Sequence, residues 1–302
     1  HTAGVESPRC SDSLMGNRLN DPVAAEGAGW NDQGVSRTEV PMDPDRGHRR
    51  KGDLFAVGDY SFWSRIFEPI SEELIDAAGV SEGHRVLDIA SGNGNTALTA
   101  ARRRAIVTAL DMSPAQIGRG RNRALKEGIP VAWVEANARH LPFADDSFDC
   151  TFNSFGDVIA VEEMLRVVRP GGAVGITEWT NEGFEGGLSE LQARFEPRAG
   201  GGHAPFWGQE EHVRAAFEPH DHAVDIRRAE ISARFESTGS FIADLLQKDP
   251  YVNDFRQRVT SEQWRAFCDE LPRLAAELNL ADDGSLVLES TYLLSIARKS
   301  EL

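Results

Sequence analysis

The stretch VLDIASGNGNTAL, residues 86–98, decides how the rest of the chain is read. An apolar run reaches an acid at Asp88, passes through a turn containing Gly92 and Gly94, and continues into a helix-forming segment. That order, strand then glycine turn then helix, places backbone N–H groups and a helix N-terminus at a ligand. A dinucleotide site would need G-x-G-x-x-G, so that the backbone can approach a pyrophosphate. Here Ala90 stands at the first glycine of that pattern and Ala97 near the third. An acid at the strand end would also repel a pyrophosphate, whereas a ligand carrying a sulfonium and an ammonium would be attracted to it. The turn therefore favours S-adenosylmethionine over NAD. A second acid, Asp111, ends the next apolar run in VTALDMS. It lies about 20 residues downstream, where a carboxylate can accept both ribose hydroxyls of a nucleoside.

Outward from this stretch, apolar runs alternate with helical patterns. RVLDIA, AIVTALD, VAWVEA, FDCTFN and AVGITEW read as strands, and TALTAARR, PAQIGRGRNRALKEG and VEEMLRVV as helices. Pro114 suits the first turn of the second of these helices. Such alternation implies a parallel sheet covered on both faces. Upstream, Phe67, Ile70, Leu74 and Ile75 recur at helical spacing up to Gly79, a C-cap candidate, so a helix is expected to cover the sheet from the N-terminal side. Residues 180–222 read as looser chain. HAVDIRRAEISARF and GSLVLESTYLLSIARK read as late strands, with TGSFIADLLQ and SEQWRAFCDELPRLAAEL as helical insertions between them. No internal repeat is evident.

The ordered set of motifs resembles the core of a class I S-adenosylmethionine-dependent methyltransferase, of the small-molecule type that includes the ubiquinone/menaquinone biosynthesis enzymes. The resemblance covers residues 86–178: VLDIASGNGN, ALDMS, EANARHLPFADDSFD and LRVVRPGGAVGITEW, in that order. It implies an α/β, Rossmann-like, doubly wound sheet of seven mostly parallel strands, one of them antiparallel near the C-terminus. It further implies that Asp88, Ala90, Ser91, Gly92 and Gly94 hold the methionine part, Asp111 the ribose and Met112 one face of the adenine. Asn137, where the family has an Asp, and Ala138 would meet the adenine edge. Asn153 and Ser154, with Phe155 after them, would line the gap between cofactor and acceptor. Ala90 replaces a usual glycine and is compatible with the turn if its φ stays negative. The NSFGDVIAVEEMLRVV segment is several residues shorter than its counterpart in the family, on the side where the acceptor binds.

Two functions remain open at this level: methyl transfer to a small molecule, and cofactor binding without methyl transfer. A sulfonium methyl is transferred by in-line displacement, so a general base is needed only for a weak nucleophile. His140, His203, His212, His220 and His222 are each better read as surface or loop residues, so no catalytic residue is assigned. Tyr60, Trp63, Phe155 and Trp179 are candidates for an apolar acceptor site. The net charge of −16 disfavours a nucleic acid or anionic membrane as partner. The sequence Asn153-Ser154-Phe155-Gly156 also lacks the N/D-P-P-Y/F motif of base amino-methyltransferases. Three scattered cysteines show no zinc or disulfide spacing and suit a reducing cytoplasm. Residues 1–52, with Trp30 their single Trp, Tyr or Phe, are expected to be mostly disordered, and Met42 is a candidate start; residues 53–302 would form the methyltransferase domain. The oligomeric state is not legible.

Overall fold

The computed structural model describes residues 61–156, 160–196, 208–220 and 222–301. The expectations for residues 1–52, Tyr60, His203 and most of the 198–208 loop therefore lie outside the described residues. Seven strands form one sheet in the order β3-β2-β1-β4-β5-β7-β6. They are β1 Arg85–Ile89, β2 Ile106–Asp111, β3 Ala132–Glu135, β4 Phe148–Ser154, β5 Val168–Glu182, β6 Val224–Phe235 and β7 Leu286–Arg298. The first five run parallel, and β7 is antiparallel to both β5 and β6. The strand order reverses between β1 and β4, so the carboxyl ends of those two strands frame the crevice where such sheets bind ligands. β1 is buried along four of its five residues, as a central parallel strand covered on both faces must be. β6, at the edge, alternates half-buried and exposed positions instead.

On one face lie α1 (Ser61–Ala78) and α2 (Asn95–Arg102), whose apolar sides pack on Val86, Val107, Ala109 and Phe152, and α3 (Pro114–Glu127), which lies against β2 and β3. Pro114 opens α3 and Gly79 closes α1 at φ 74. On the other face α4 (Val161–Val167) and α6 (Glu210–Phe217) bury Met164, Leu165, Val213 and Phe217 against Leu87, Val174 and Ile176. A third apolar cluster joins α5 (Gly183–Phe195), α7 (Thr238–Lys248), α8 (Pro250–Arg258) and α9 (Ser261–Glu277) to the far end of β7 and to Trp63 of α1. Among the described residues no helix is long and apolar enough to cross a membrane.

The stretch read as loose, 180–222, contains two helices, and that reading is corrected. Gly183, Gly186 and Gly187 depress helix propensity at the start of α5. Tertiary burial overrides them: Phe184, Leu188 and Leu191 follow the i, i+4, i+7 stripe and sink into the third cluster. Gly183 is obligatory there, because at φ 72 a Cβ would collide with the Glu289 carbonyl of β7. α8 also passed unread, although Asp249 caps it by accepting the Val252 N–H at 2.8 Å and Pro250 follows at its first turn.

Trp133 of β3 explains two glycines at once. Its indole lies against Gly94, where a Cβ would come within 2.6 Å of Cη2, and even more tightly against Gly120 of α3. Gly94 is thus required by packing and by its φ of 91 as well as by any ligand. Gly120→Ala is expected to lower stability by ~1–3 kcal/mol through overpacking. In a Trp133→Ala background the same change should become neutral or favourable, since Ala is the better helix former by ~1 kcal/mol. Urea unfolding of the four chains in this double-mutant cycle measures the difference.

Candidate cofactor site at the carboxyl ends of β1, β2 and β4

Asp88 is 1% exposed, yet it ends a strand at the ligand crevice. Its Oδ2 accepts the Ala97 N–H of α2 at 2.9 Å, which ties the strand end to the helix that follows. Burial pushes its carboxyl up to about 8; the Ala97 N–H opposes this and the neighbouring Asp111 adds to it. Asp111 is raised above the usual carboxylate range by burial, held back by the backbone N–H groups of Ser113, Gly92 and Met112. Two buried acids thus lie within electrostatic reach of each other, and no cation is among the groups that act on either. A cationic ligand is the chemistry that such a pair is short of.

Between the two acids runs the turn. Gly92, at φ 54, donates its N–H to Asp111 Oδ2 at 2.8 Å, and Ser113 donates its own to Oδ1 at 2.8 Å. Asp111 therefore braces the turns after β1 and β2 against each other, with acceptor capacity left for a ribose hydroxyl. A Cβ built on Gly92 would meet nothing within 4 Å, so open space adjoins the turn there. The Ser91 hydroxyl is buried without a hydrogen-bond partner among the described residues. Open space, an orphaned hydroxyl and uncompensated acids fit a cationic nucleoside. Ala90 departs from expectation: its φ is 54, not negative. The left-handed turn is kept without glycine, at a cost of ~1–2 kcal/mol. The Ala90 methyl packs so closely under Gly156 that a Cβ there would come within 2.9 Å of it.

The remaining sequence candidates divide. Met112 is half-buried beside Asp111, and Asn137 and Ala138 follow β3. Asn137 Oδ1 accepts the Arg139 N–H at 3.0 Å, so an adenine amino group would have to use its second lone pair. Asn153 Oδ1 accepts the Gly156 N–H at 3.0 Å, and the Ser154 hydroxyl bonds that of Thr177 at 2.9 Å. Phe155, at φ 53, stacks on Trp179 with centroids 4.1 Å apart. Phe67 of α1 leans on both and stacks on Trp63 at 5.6 Å. The structure thus brings Trp63, Phe155 and Trp179 into one aromatic cluster.

Sequence reading missed the groups that hold the turn from outside. Ser64 of α1 accepts from Asn93 Nδ2 at 2.7 Å, and Ser71 and Thr96 share a hydrogen bond at 3.2 Å. Arg123 of α3 donates to the Asn93 carbonyl and to the Asn93 and Asn95 side chains at 2.7–3.1 Å. Their separation in sequence left no local signal. The acids of LPFADDSFD serve structure: Asp145 pairs with Arg166 at 2.8 Å and Asp149 with Arg169 at 2.5 Å. Among the described residues no group of three or more His, Cys, Asp or Glu could hold a metal.

This strand order, with a glycine turn after β1 and an acid closing β2, defines a class I S-adenosylmethionine-dependent methyltransferase. The comparisons agree. A family model described as a methyltransferase domain matches residues 86–172. An uncharacterised protein of Mycobacterium tuberculosis is 32% identical over 274 residues, 87% of this chain and 97% of its own length. The ubiquinone/menaquinone biosynthesis C-methyltransferase UbiE of Haemophilus ducreyi is 33% identical over 144 residues, 44% of this chain and 53% of its own. Among solved structures, a putative methyltransferase from Bacillus halodurans shares the fold at TM-score 0.55 and 17% identity, covering 76% of this chain and 99% of that one. The [4+2]-cyclase SpnF shares it at TM-score 0.52 and 19% identity, covering 77% and 81%. The chain belongs to the class I S-adenosylmethionine-dependent methyltransferases, in one family with the mycobacterial protein.

Asp88 supplies a test in the cofactor-free chain. Its carboxyl titrates near 8 when folded and about 3.9 when unfolded, so between those values the folded state holds a proton that the unfolded state lacks. Its contribution to stability is therefore present at acid pH and is lost as pH rises from about 4 to about 8. Asp88→Asn removes this titration. The stability difference between wild type and Asp88→Asn, measured by denaturant unfolding at pH 5.5 and 7.5, should shift in favour of the variant at the higher pH.

Proposed function

We propose that the enzyme methylates a small molecule with an apolar body, in the cytosol and in the setting of secondary metabolism. S-adenosylmethionine supplies an electrophilic methyl group on a sulfonium. In this reading Asp88, Ala90, Ser91, Gly92 and Gly94 hold its methionine part, Asp111 its ribose, and Met112, Asn137 and Ala138 its adenine. Asn153 and Ser154 border the transferred group. Residues 53–302 make up the catalytic domain.

One contact carries the proposal: Ala90 in the cofactor turn packs directly on Gly156, next to Phe155. The aromatic cluster of Phe155, Trp179, Phe67 and Trp63 therefore begins where the cofactor turn ends. An acceptor resting on those rings would present its nucleophile to the methyl group in an environment poor in water. Positioning of that kind supplies most of the acceleration of a displacement. The net charge of −16 supports a small molecule over a nucleic acid.

A second reading, cofactor binding without methylation, draws on the short connection from Ser154 to α4 at Val161 and on the fold shared with the [4+2]-cyclase SpnF. Calorimetric titration with S-adenosylhomocysteine is the test. Micromolar binding is expected, weakened at least tenfold by Asp111→Asn, because a hydrogen bond to a charged group contributes ~1.5–3 kcal/mol. Failure of the folded wild type to bind overturns both readings. Binding with no transfer of labelled methyl to a panel of aromatic and terpenoid acceptors favours the second.

A further inference from the structure

The two edges of the sheet differ. β3 is four residues long and offers little to another strand. β6 runs for twelve residues and pairs with β7 over its whole length without a shift of register. Edge strands are ordinarily protected by shortness, proline, lysine, a bulge or a covering element. β6 contains no proline, lysine or glycine, and no bulge turns it aside. Among the described residues, the backbone of residues 225–234 hydrogen-bonds to β7 alone. The one group that reaches the strand's backbone from outside the sheet is Arg214 of α6, at the Val224 carbonyl, 3.3 Å away. On one face Ala229, Ile231 and Ala233 stay half-buried, partly open to whatever lies beside the strand.

The side chains along this edge carry charges of both signs. Arg227 pairs with Glu73 of α1 at 2.7 Å, Arg234 with Asp283 at 3.1 Å, and Arg228 with Glu182. Glu230 is exposed and has no ion pair among the described residues. Two identical strands that pair antiparallel are related by a two-fold axis normal to the sheet. Such an axis keeps every side chain on its own face, and cross-strand partners share a face. Each residue can therefore oppose only a residue an even number of places from it, which leaves few registers. An axis at residue 227, 228 or 230 sets Arg227, Arg228 or Glu230 against its own copy, and one at 231 sets Arg228 against Arg234. An axis at 232 matches Glu230 with Arg234 but pairs only residues 229–235. An axis at Ala229 pairs residues 224–234, opposes no like charges, and places Arg228 against the partner's Glu230 twice over.

We infer that β6 is the docking edge for a second copy of this chain, which adds antiparallel about a two-fold axis at Ala229 and continues the two sheets as one. The Arg228 guanidinium has five N–H donors and can serve Glu182 and the partner's Glu230 together. β5 and β7 separate β6 from β4, so the crevice at β1 and β4 stays open in the dimer.

Sedimentation velocity of the full chain from about 1 to about 100 µM should show monomer passing to dimer by mass action. Arg228→Glu and Glu230→Arg each replace two attractive cross-strand pairs by two repulsive ones, and each should weaken dimerisation by about tenfold or more. Mixing the two variants restores opposite charges at both places in a heterodimer, and the mixture should recover dimerisation. The double reversal, Arg228→Glu with Glu230→Arg, makes the same test within one chain. Both positions are exposed and the Arg228–Glu182 pair contributes little, so urea midpoints close to wild type should show that the variants are folded. A chain that is monomeric throughout the range, a dimer indifferent to the single reversals, or folded variants that neither mixing nor double reversal rescues overturns the assignment.

Discussion

The carboxylate of Asp111 is the interaction on which the site depends. By accepting from Gly92 and from Ser113 it locks together two turns that belong to different βα units. Without it the Gly92 and Ser113 N–H groups would lose the acceptor they share. Bridged by one acid, the two turns become two walls of a single cradle, fixed before any ligand arrives. A small side chain can do this because parallel pairing of β1 with β2 sets Asp88 beside Ala109 and brings both strand ends to one level. Burial of the two carboxyls, to which Asp111 adds a smaller repulsion at Asp88, is the cost of that placement, and the cationic cofactor of the enzyme class is suited to relieve it.

How much of this could be read from the sequence follows from the range of the forces involved. The order of strands and helices through Trp179 was legible because apolar runs and turn residues act locally, and Pro114 and Gly79 are local signals of the same kind. Asp88 and Asp111 stood out because an acid closing an apolar strand is unusual wherever it occurs. Ala90 shows the opposite case: nothing local announces that an alanine is held at positive φ, since the restraint comes from the turn and from Gly156. α5 was hidden by its glycines, which are there for close approach to β7 and the strand end and not for flexibility. Arg123, Ser64 and Ser71 act across 25 to 30 residues and leave no trace in a pattern of neighbours.

The molecule thus has two regions of different character. From β1 to β4 backbone geometry and buried acids prevail, a design that suits a constant ligand. From β5 onward the interior is aromatic and assembled from elements far apart in sequence, with β7 running through the sheet into the helical lobe. Regions of the second kind can exchange side chains without disturbing the strand order, so one fold can serve many acceptors.

α1 belongs to both regions. Ser64 grips the turn after β1 through Asn93, while its neighbour Trp63 stacks on Phe67 in the aromatic cluster and bonds Asp249. Adjacent residues on one rigid helix cannot move independently, so a displacement that loosens one contact is felt at the other. Thermodynamic linkage makes that relation reciprocal: whatever free energy a ligand at the turn lends to the packing of the rings, that packing returns to the ligand in equal measure.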